Sequence, residues 1–341
     1  MPAESTNAFI AALPKAELHV HHVGSASPRI VAELAARHPA AGVPADLDAL
    51  RDFFTFRDFA HFIEVYLAVV DLVRTPEDIR YLTYEIAREM VQGQCLRYAE
   101  LTCTPHTSVI RGIAIEAYTE AIEDARVAAE RDFGLVIRWI YDVPGELGVP
   151  AADATLGYAL EHRTDALVGF GLRGPEIGVP RAQFAPHFDR AVAEGLRSVP
   201  HAGETTGPQT IWDALRLLHA ERIGHGTSAA ADPQLLAHLA ETGIPLEVCP
   251  SSNIATRAVA TLEEHPLRAF VEAGVTVTIN SDDPPMFGTS LNREYGIAAD
   301  LLGLDHAGIA ELARAGVWAS FAPADVKARV LGEIDACSAR G

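Results

Sequence analysis

One pattern constrains the fold of this 341-residue chain more than any other: short apolar runs recur between longer stretches of helical periodicity. That alternation is the mark of βα units repeated around a parallel sheet. Eight runs predict strands, at 16–21, 96–103, 135–141, 167–171, 197–201, 222–224, 245–248 and 275–280, with helices between them at 78–92, 116–131, 181–193, 210–218, 232–242 and 266–273. Eight such units close into an α/β (β/α)8 TIM-type barrel, so residues 1–341 read as a single decorated barrel domain rather than two domains. The first unit is interrupted by an apolar stretch at 53–73, where Phe54, Phe56, Phe59, Phe62 and Tyr66 recur at helical spacing. A helical insertion after strand 1 stands at the C-terminal face of a barrel, where it forms an apolar lid or simply packs its aromatics into the core.

Charge narrows the partners. With 46 acids against 27 bases the chain carries a formal charge of -19, which repels a nucleic-acid duplex and an anionic membrane over most of the surface. An anionic ligand must therefore meet a local basic group. No stretch of 18 apolar residues and no basic-then-apolar leader occurs, so a cytoplasmic location is expected. The four cysteines lack CxxC spacing and read as reduced thiols, and the oligomeric state is left open.

The uncommon polar residues fall at strand ends. His19 and His21 alternate on strand 1 and so share one side; His201 ends strand 5, His225 follows strand 6, and Asp282 and Asp283 follow strand 8. In a parallel barrel all of them converge on one mouth, and three imidazoles with a carboxylate suit one Zn2+ that keeps a position open for water. Glu204 follows His201 by three residues, where a desolvated carboxyl can serve as a general acid.

These residues lie in five motifs: Glu17-Leu18-His19-Val20-His21, His201-Ala202-Gly203-Glu204, Arg222-Ile223-Gly224-His225-Gly226, Glu247-Val248-Cys249-Pro250 and Asn280-Ser281-Asp282-Asp283-Pro284. In that order they resemble the adenosine deaminase family of the amidohydrolase superfamily, from Pro14 to about Gly288. The resemblance implies that His19, His21, His201 and Asp282 bind zinc, which makes hydroxide available near neutral pH. It implies further that Glu204 protonates ring N1, that His225 is base and electrostatic partner of the attacking hydroxide, that Asp283 bonds N7 and that the Gly174 backbone donates to N3.

Three departures bear on the substrate, which the resemblance implies is a small adenine nucleoside. Family members that use adenosine carry an acid before the glycine that follows His-x-His; here that position is Val23, in His21-His22-Val23-Gly24-Ser25. Thr102 stands where an arginine is usual after Glu100-Leu101, and Pro175 interrupts the usual Gly-Asp-Glu at 174–176. The His22-Val23 variant resembles the actinobacterial aminodeoxyfutalosine deaminases of menaquinone biosynthesis, a branch whose adenine nucleoside carries a carboxyphenyl ketone at its 5′ end. An acid at 23 would repel that carboxylate by about 4 kcal/mol at 4 Å and an effective dielectric of 20. Val23, Phe56 and Phe59 offer apolar contact to the phenyl ring, and His22, Arg57 or Arg173 is expected to pair with the carboxylate. Adenosine or adenine deamination, and a catalytically silent purine-binding barrel, are the competing readings.

Overall fold

A computed structural model describes residues 3–57 and 59–339, apart from the side chains at positions 3, 4, 59, 60 and 62. The predicted contact of Phe59 with substrate, and the place of Phe62, therefore lie outside the described residues. Eight parallel strands follow one another around the sheet in chain order: β1 (Lys15–His21), β2 (Leu96–Cys103), β3 (Val136–Pro144), β4 (Leu167–Arg173), β5 (Arg197–Ala202), β6 (Ile223–His225), β7 (Leu246–Val248) and β8 (Val277–Ile279). Their ends differ from the sequence expectation by at most three residues. Every residue of β1 is buried, as a strand covered by helices outside and side chains inside must be.

The barrel closes where the ends of the chain meet. His21 N–H donates to Asp282 O at 2.9 Å and Asp282 N–H to His19 O at 3.1 Å. Beside them Asn280 Oδ1 accepts the backbone N–H groups of Leu18 at 2.9 Å and His19 at 3.1 Å. Asn280 thus substitutes a side chain for a missing rung of ladder, and all these polar groups are satisfied without water.

The expected insertion after β1 is helical, with helices at Pro28–Arg37, Leu47–Phe53 and Phe59–Val70 before the first barrel helix, Pro76–Gln94. Thr75 and Asp78 form a capping box that starts this last helix. Further helices were not anticipated, among them Ala3–Ala12, Pro105–Val109, Gly148–Glu161, Pro250–Ala255 and a C-terminal group of Leu291–Leu302, His306–Ala319 and Ala324–Ser338. The C-terminal group supports the N-terminal floor of the barrel. There Arg222 donates through Nε to Glu247 at 2.5 Å, through a second nitrogen to Glu100, and through Nη1 to Ala319 O at 3.1 Å, while its guanidinium lies 3.8 Å from the Phe321 ring centre. Among the described residues no helix is long and apolar enough to cross a membrane, and all four cysteines are free thiols.

Candidate active site

Side chains alternate along β3, and this sets the depth of the site. Trp139 points outward and donates its Nε1–H to Glu123 on the surrounding helix at 2.5 Å, so Asp142, three residues on, faces the interior. The same logic turns His19 and His21 of β1 and His201 of β5 into the mouth. His225 and Asp282 reach it by another route: His225 ends β6 and Asp282 lies three residues past β8, both with left-handed backbone, φ 61° and 64°. Such a conformation costs of order 1–3 kcal/mol in a residue with a side chain. Gly224 is required between them and the ligands, because a Cβ there would lie 2.9 Å from His19 Cε1 and 3.2 Å from His201 Cγ.

His19, His21 and His201 each offer a nitrogen within one tight cluster, and His21 shares a second with Asp282 and Asp283. His21 Nε2 lies 3.3 Å from His201 Nε2 and 3.1 Å from Asp282 Oδ1; His19 Nε2 lies 3.6 Å from Asp282 Oδ1 and has no hydrogen-bond partner although buried. Donors held 2.0–2.1 Å from one tetrahedral ion stand roughly 3.4 Å apart, so these four atoms fit a divalent metal. Their electrostatics agree. Burial opposes charge on His19, yet the neighbouring carboxylates of Asp282 and Glu247 push its pKa up to about 10, the sign of a site built for positive charge. Burial and the neighbouring imidazoles hold His201 well below the ordinary histidine range, neutral as a ligand must be.

A second layer fixes those ligands. Glu247, anchored by Arg222, accepts His19 Nδ1–H at 2.8 Å. The Ser252 hydroxyl donates to Asp282 Oδ2 at 2.6 Å. A relay reaches His225: the Leu267 N–H donates to His265 Nδ1 at 3.1 Å, His265 Nε2–H to Asn253 Oδ1 at 3.2 Å, and Asn253 Nδ2 to His225 Nδ1 at 3.1 Å. Because Nδ1 of His225 accepts, its proton sits on Nε2, which faces Glu204 Oε2 at 3.6 Å and Asp282 Oδ2 at 3.9 Å. Glu204 itself rides on a loop pinned by Glu176, whose carboxylate accepts from the backbone N–H of Gly203 at 2.6 Å, Thr205 at 2.8 Å and Thr206 at 2.9 Å.

Two carboxyls remain without full partners. Burial, and then the charge of Asp282 beside it, pushes Asp283 up to about 7, and its Oδ1 bonds nothing. Gly24 has to be glycine for this reason, since a Cβ there would lie 1.5 Å from that oxygen. Asp142 is fully buried with neither oxygen bonded, and burial raises it to about 6 against the pull of His21 and Arg173.

The expected residues are thus gathered at one mouth: His19, His21, His201, His225, Glu204, Asp282 and Asp283. A cavity of about 290 Å3 opens beside them, and its wall includes His22, Val23 and Arg173. Gly174, with φ 89°, closes against Glu146, and Phe56 packs at the edge of the core. Arg57 is exposed and does not line the cavity. His22 lines it as a neutral ring: burial lowers its pKa to about 4, and Nε2 donates to Thr83 Oγ1 at 2.7 Å. Sequence reasoning missed Asp142, Glu176, Ser252, Asn253, His265 and the orienting role of Glu247. The acid in Glu247-Val248-Cys249-Pro250, buried in a strand with no role of its own, was the available signal.

The adenosine deaminase family model matches residues 14–337. An aminodeoxyfutalosine deaminase of Streptomyces avermitilis is 67% identical over 335 residues, 98% of this chain and 93% of the relative. The solved structure of an adenine deaminase from Arthrobacter aurescens superposes with a TM-score of 0.89 at 32% identity, covering 95% of this chain and 99% of the other. A Zn-bound amidohydrolase from Burkholderia ambifaria superposes with a TM-score of 0.88 at 27% identity, covering 100% and 95%. With the buried cluster, these matches point to a divalent metal held by histidine and aspartate.

Proposed function

The chain belongs to the adenosine deaminase family, and on that premise we propose that it deaminates the adenine ring of aminodeoxyfutalosine by hydrolysis, releasing ammonia and the 6-oxo nucleoside for menaquinone biosynthesis. The observation that carries the substrate is the cavity beside the metal ligands, which is lined by Val23 rather than an acid and by the apolar side chains of Leu67, Val70 and Val73. It has the character needed by a bulky 5′ group, and the name of the Streptomyces relative supports the same reading.

His19, His21, His201 and Asp282 would hold the metal, which we take as zinc from their nitrogen and oxygen donors. When bound it would supply acidity, making hydroxide available near pH 7. Glu204 carries a proton to ring N1, drawing electrons from C6 and readying it for attack. The loop clamp of Glu176 keeps that carboxyl aimed. His225 presents an Nε2–H, so it stabilises charge on the incoming oxygen as a donor; the relay through Asn253 favours this over the role of base. Asp283 Oδ1 bonds N7 and the Gly174 N–H bonds N3, fixing the ring in its plane.

The test is a substrate panel. Purified protein with its metal is assayed by absorbance on aminodeoxyfutalosine, adenosine and adenine, with kcat/KM expected to be highest for the first by at least tenfold. Preference for adenosine or adenine replaces the proposed substrate. No turnover of any of them at full metal content marks a binding protein.

A further inference from the structure

The cavity beside the ligands is bounded by four groups from different parts of the chain: the ligand strand at His21, the lid helix Phe59–Val70, Arg173 at the end of β4, and a turn after β2 that contributes Ser108 and Arg111. Its apolar wall suits a flat ring, and its charged side chains decide where an acid on that ring would rest. Two of the three expected cations do not qualify. The Nε2 of His22 is already spent on Thr83 Oγ1 at 2.7 Å, and Arg57 does not reach the cavity. Arg173 does reach it, but Nε is committed to Thr104 Oγ1 at 3.0 Å and Glu146 lies 3.5 Å from Nη1. An incoming carboxylate would meet that acid along with the guanidinium.

Arg111 is differently placed. It stands on the turn after β2, where the backbone N–H of Arg111 donates to Ser108 O at 3.1 Å. Its Nε donates to Asp71 Oδ1 at 2.7 Å and Nη1 to Thr107 O at 3.0 Å, which leaves Nη2 for a ligand. Asp71 is about half exposed, so water screens that pair and a better-seated carboxylate competes with it. Resting on the aminodeoxyfutalosine reading, we infer that Arg111, with the Ser108 hydroxyl on the same turn, receives the carboxylate of the 5′ substituent while the lid-helix face takes its ring. The chain then reads the two ends of one substrate with separate elements: strand ends for the purine, and the β2 turn for the acid.

The experiment compares wild type, Arg111→Gln and Asp71→Asn on three compounds: aminodeoxyfutalosine, its neutral carboxamide and adenosine. Arg111→Gln is expected to raise KM for the carboxylate substrate by roughly 10- to 100-fold, with kcat within about twofold, and to leave the carboxamide and adenosine unchanged. Wild type prefers carboxylate to carboxamide, and the variant loses that preference. Asp71→Asn, which breaks the same ion pair from the other side, keeps the preference. Equal losses on all three compounds, a preference that survives in Arg111→Gln, or the same loss in Asp71→Asn overturns the role of Arg111. Wild type that ignores aminodeoxyfutalosine but deaminates adenosine overturns the substrate assignment and this inference together, whereas failure of Arg111→Gln alone leaves the substrate standing.

Discussion

The two ends of this barrel both bury ionisable side chains, and they treat them in opposite ways. At the floor each charge is met by protein: Arg222 lies between Glu100 and Glu247, and Lys15 Nζ donates to the carbonyls of Ile10 and Leu13 at 2.6 Å. At the mouth valences are left over, on His19 Nε2, on Asp283 Oδ1 and on both oxygens of Asp142. A buried polar group without a partner is costly, so natural chains keep few of them. Where they cluster at one end of a barrel they mark what has yet to bind. The floor is built for stability and the mouth for a cation and a ligand.

Removing Glu204 at the mouth should produce the largest effect. Glu204→Gln keeps the size and the hydrogen-bonded loop but not the proton, so kcat is expected to fall by about 10³-fold or more while metal per chain stays constant; near-normal turnover would unseat Glu204 as the acid. At the floor Arg222→Met should cost about 3–5 kcal/mol in urea unfolding, because it strands Glu100 as an unpaired buried charge and leaves Glu247 with His19 alone. A loss below 1 kcal/mol would erase the contrast between the two ends.

Asp142 tests the contrast from the other direction. Its pKa is raised from 3.8 to about 6 on folding, so the folded chain holds a proton that the unfolded chain releases between those values. Stability from this group is full below pH 4 and falls as pH rises toward 6, by about 3 kcal/mol in all. Asp142→Asn should therefore be more stable than wild type at pH 7 by up to that amount and converge with it near pH 4. Unfolding curves that stay parallel across pH 4–8 would refute an uncompensated carboxyl. The smallest change is expected from Ser252→Ala, which frees Asp282 Oδ2 and should weaken metal binding roughly 10- to 100-fold by competition with a chelator.

Much of this was legible because it is local. A histidine pair two residues apart on one strand, and acids just past strand ends, announce their direction by the period of the strand. The alternation of runs gave all eight strands for the same reason. The relay to His225 was not legible, because Asn253 and His265 meet it only once β6 and the segment after β7 are side by side. Glu176 stood beside a departure, Pro175, with no role read for it, and its work is done on backbone N–H groups about 30 residues away. Asp142 was not singled out: the room for its carboxyl depends on Gly171 across the sheet, where a Cβ would lie 2.0 Å from its Oδ1. The helix Gly148–Glu161 escaped notice because its small residues carry weak amphipathic contrast.

The seam between β1 and β8 carries a consequence for how the chain holds together. His19 and Asn280 are 261 residues apart in sequence yet hydrogen-bonded, and the proposed metal ligands His19, His21 and Asp282 straddle the same joint. An ion shared across it would act as a removable cross-link closing a loop of about three quarters of the polypeptide, and fixing two points far apart restricts an open chain more than fixing two close together. Chelation should then loosen the joint first, and amide exchange in β8 and at the start of the lid should quicken before that in β2 to β4. A metal held there would double as the clasp of the ring.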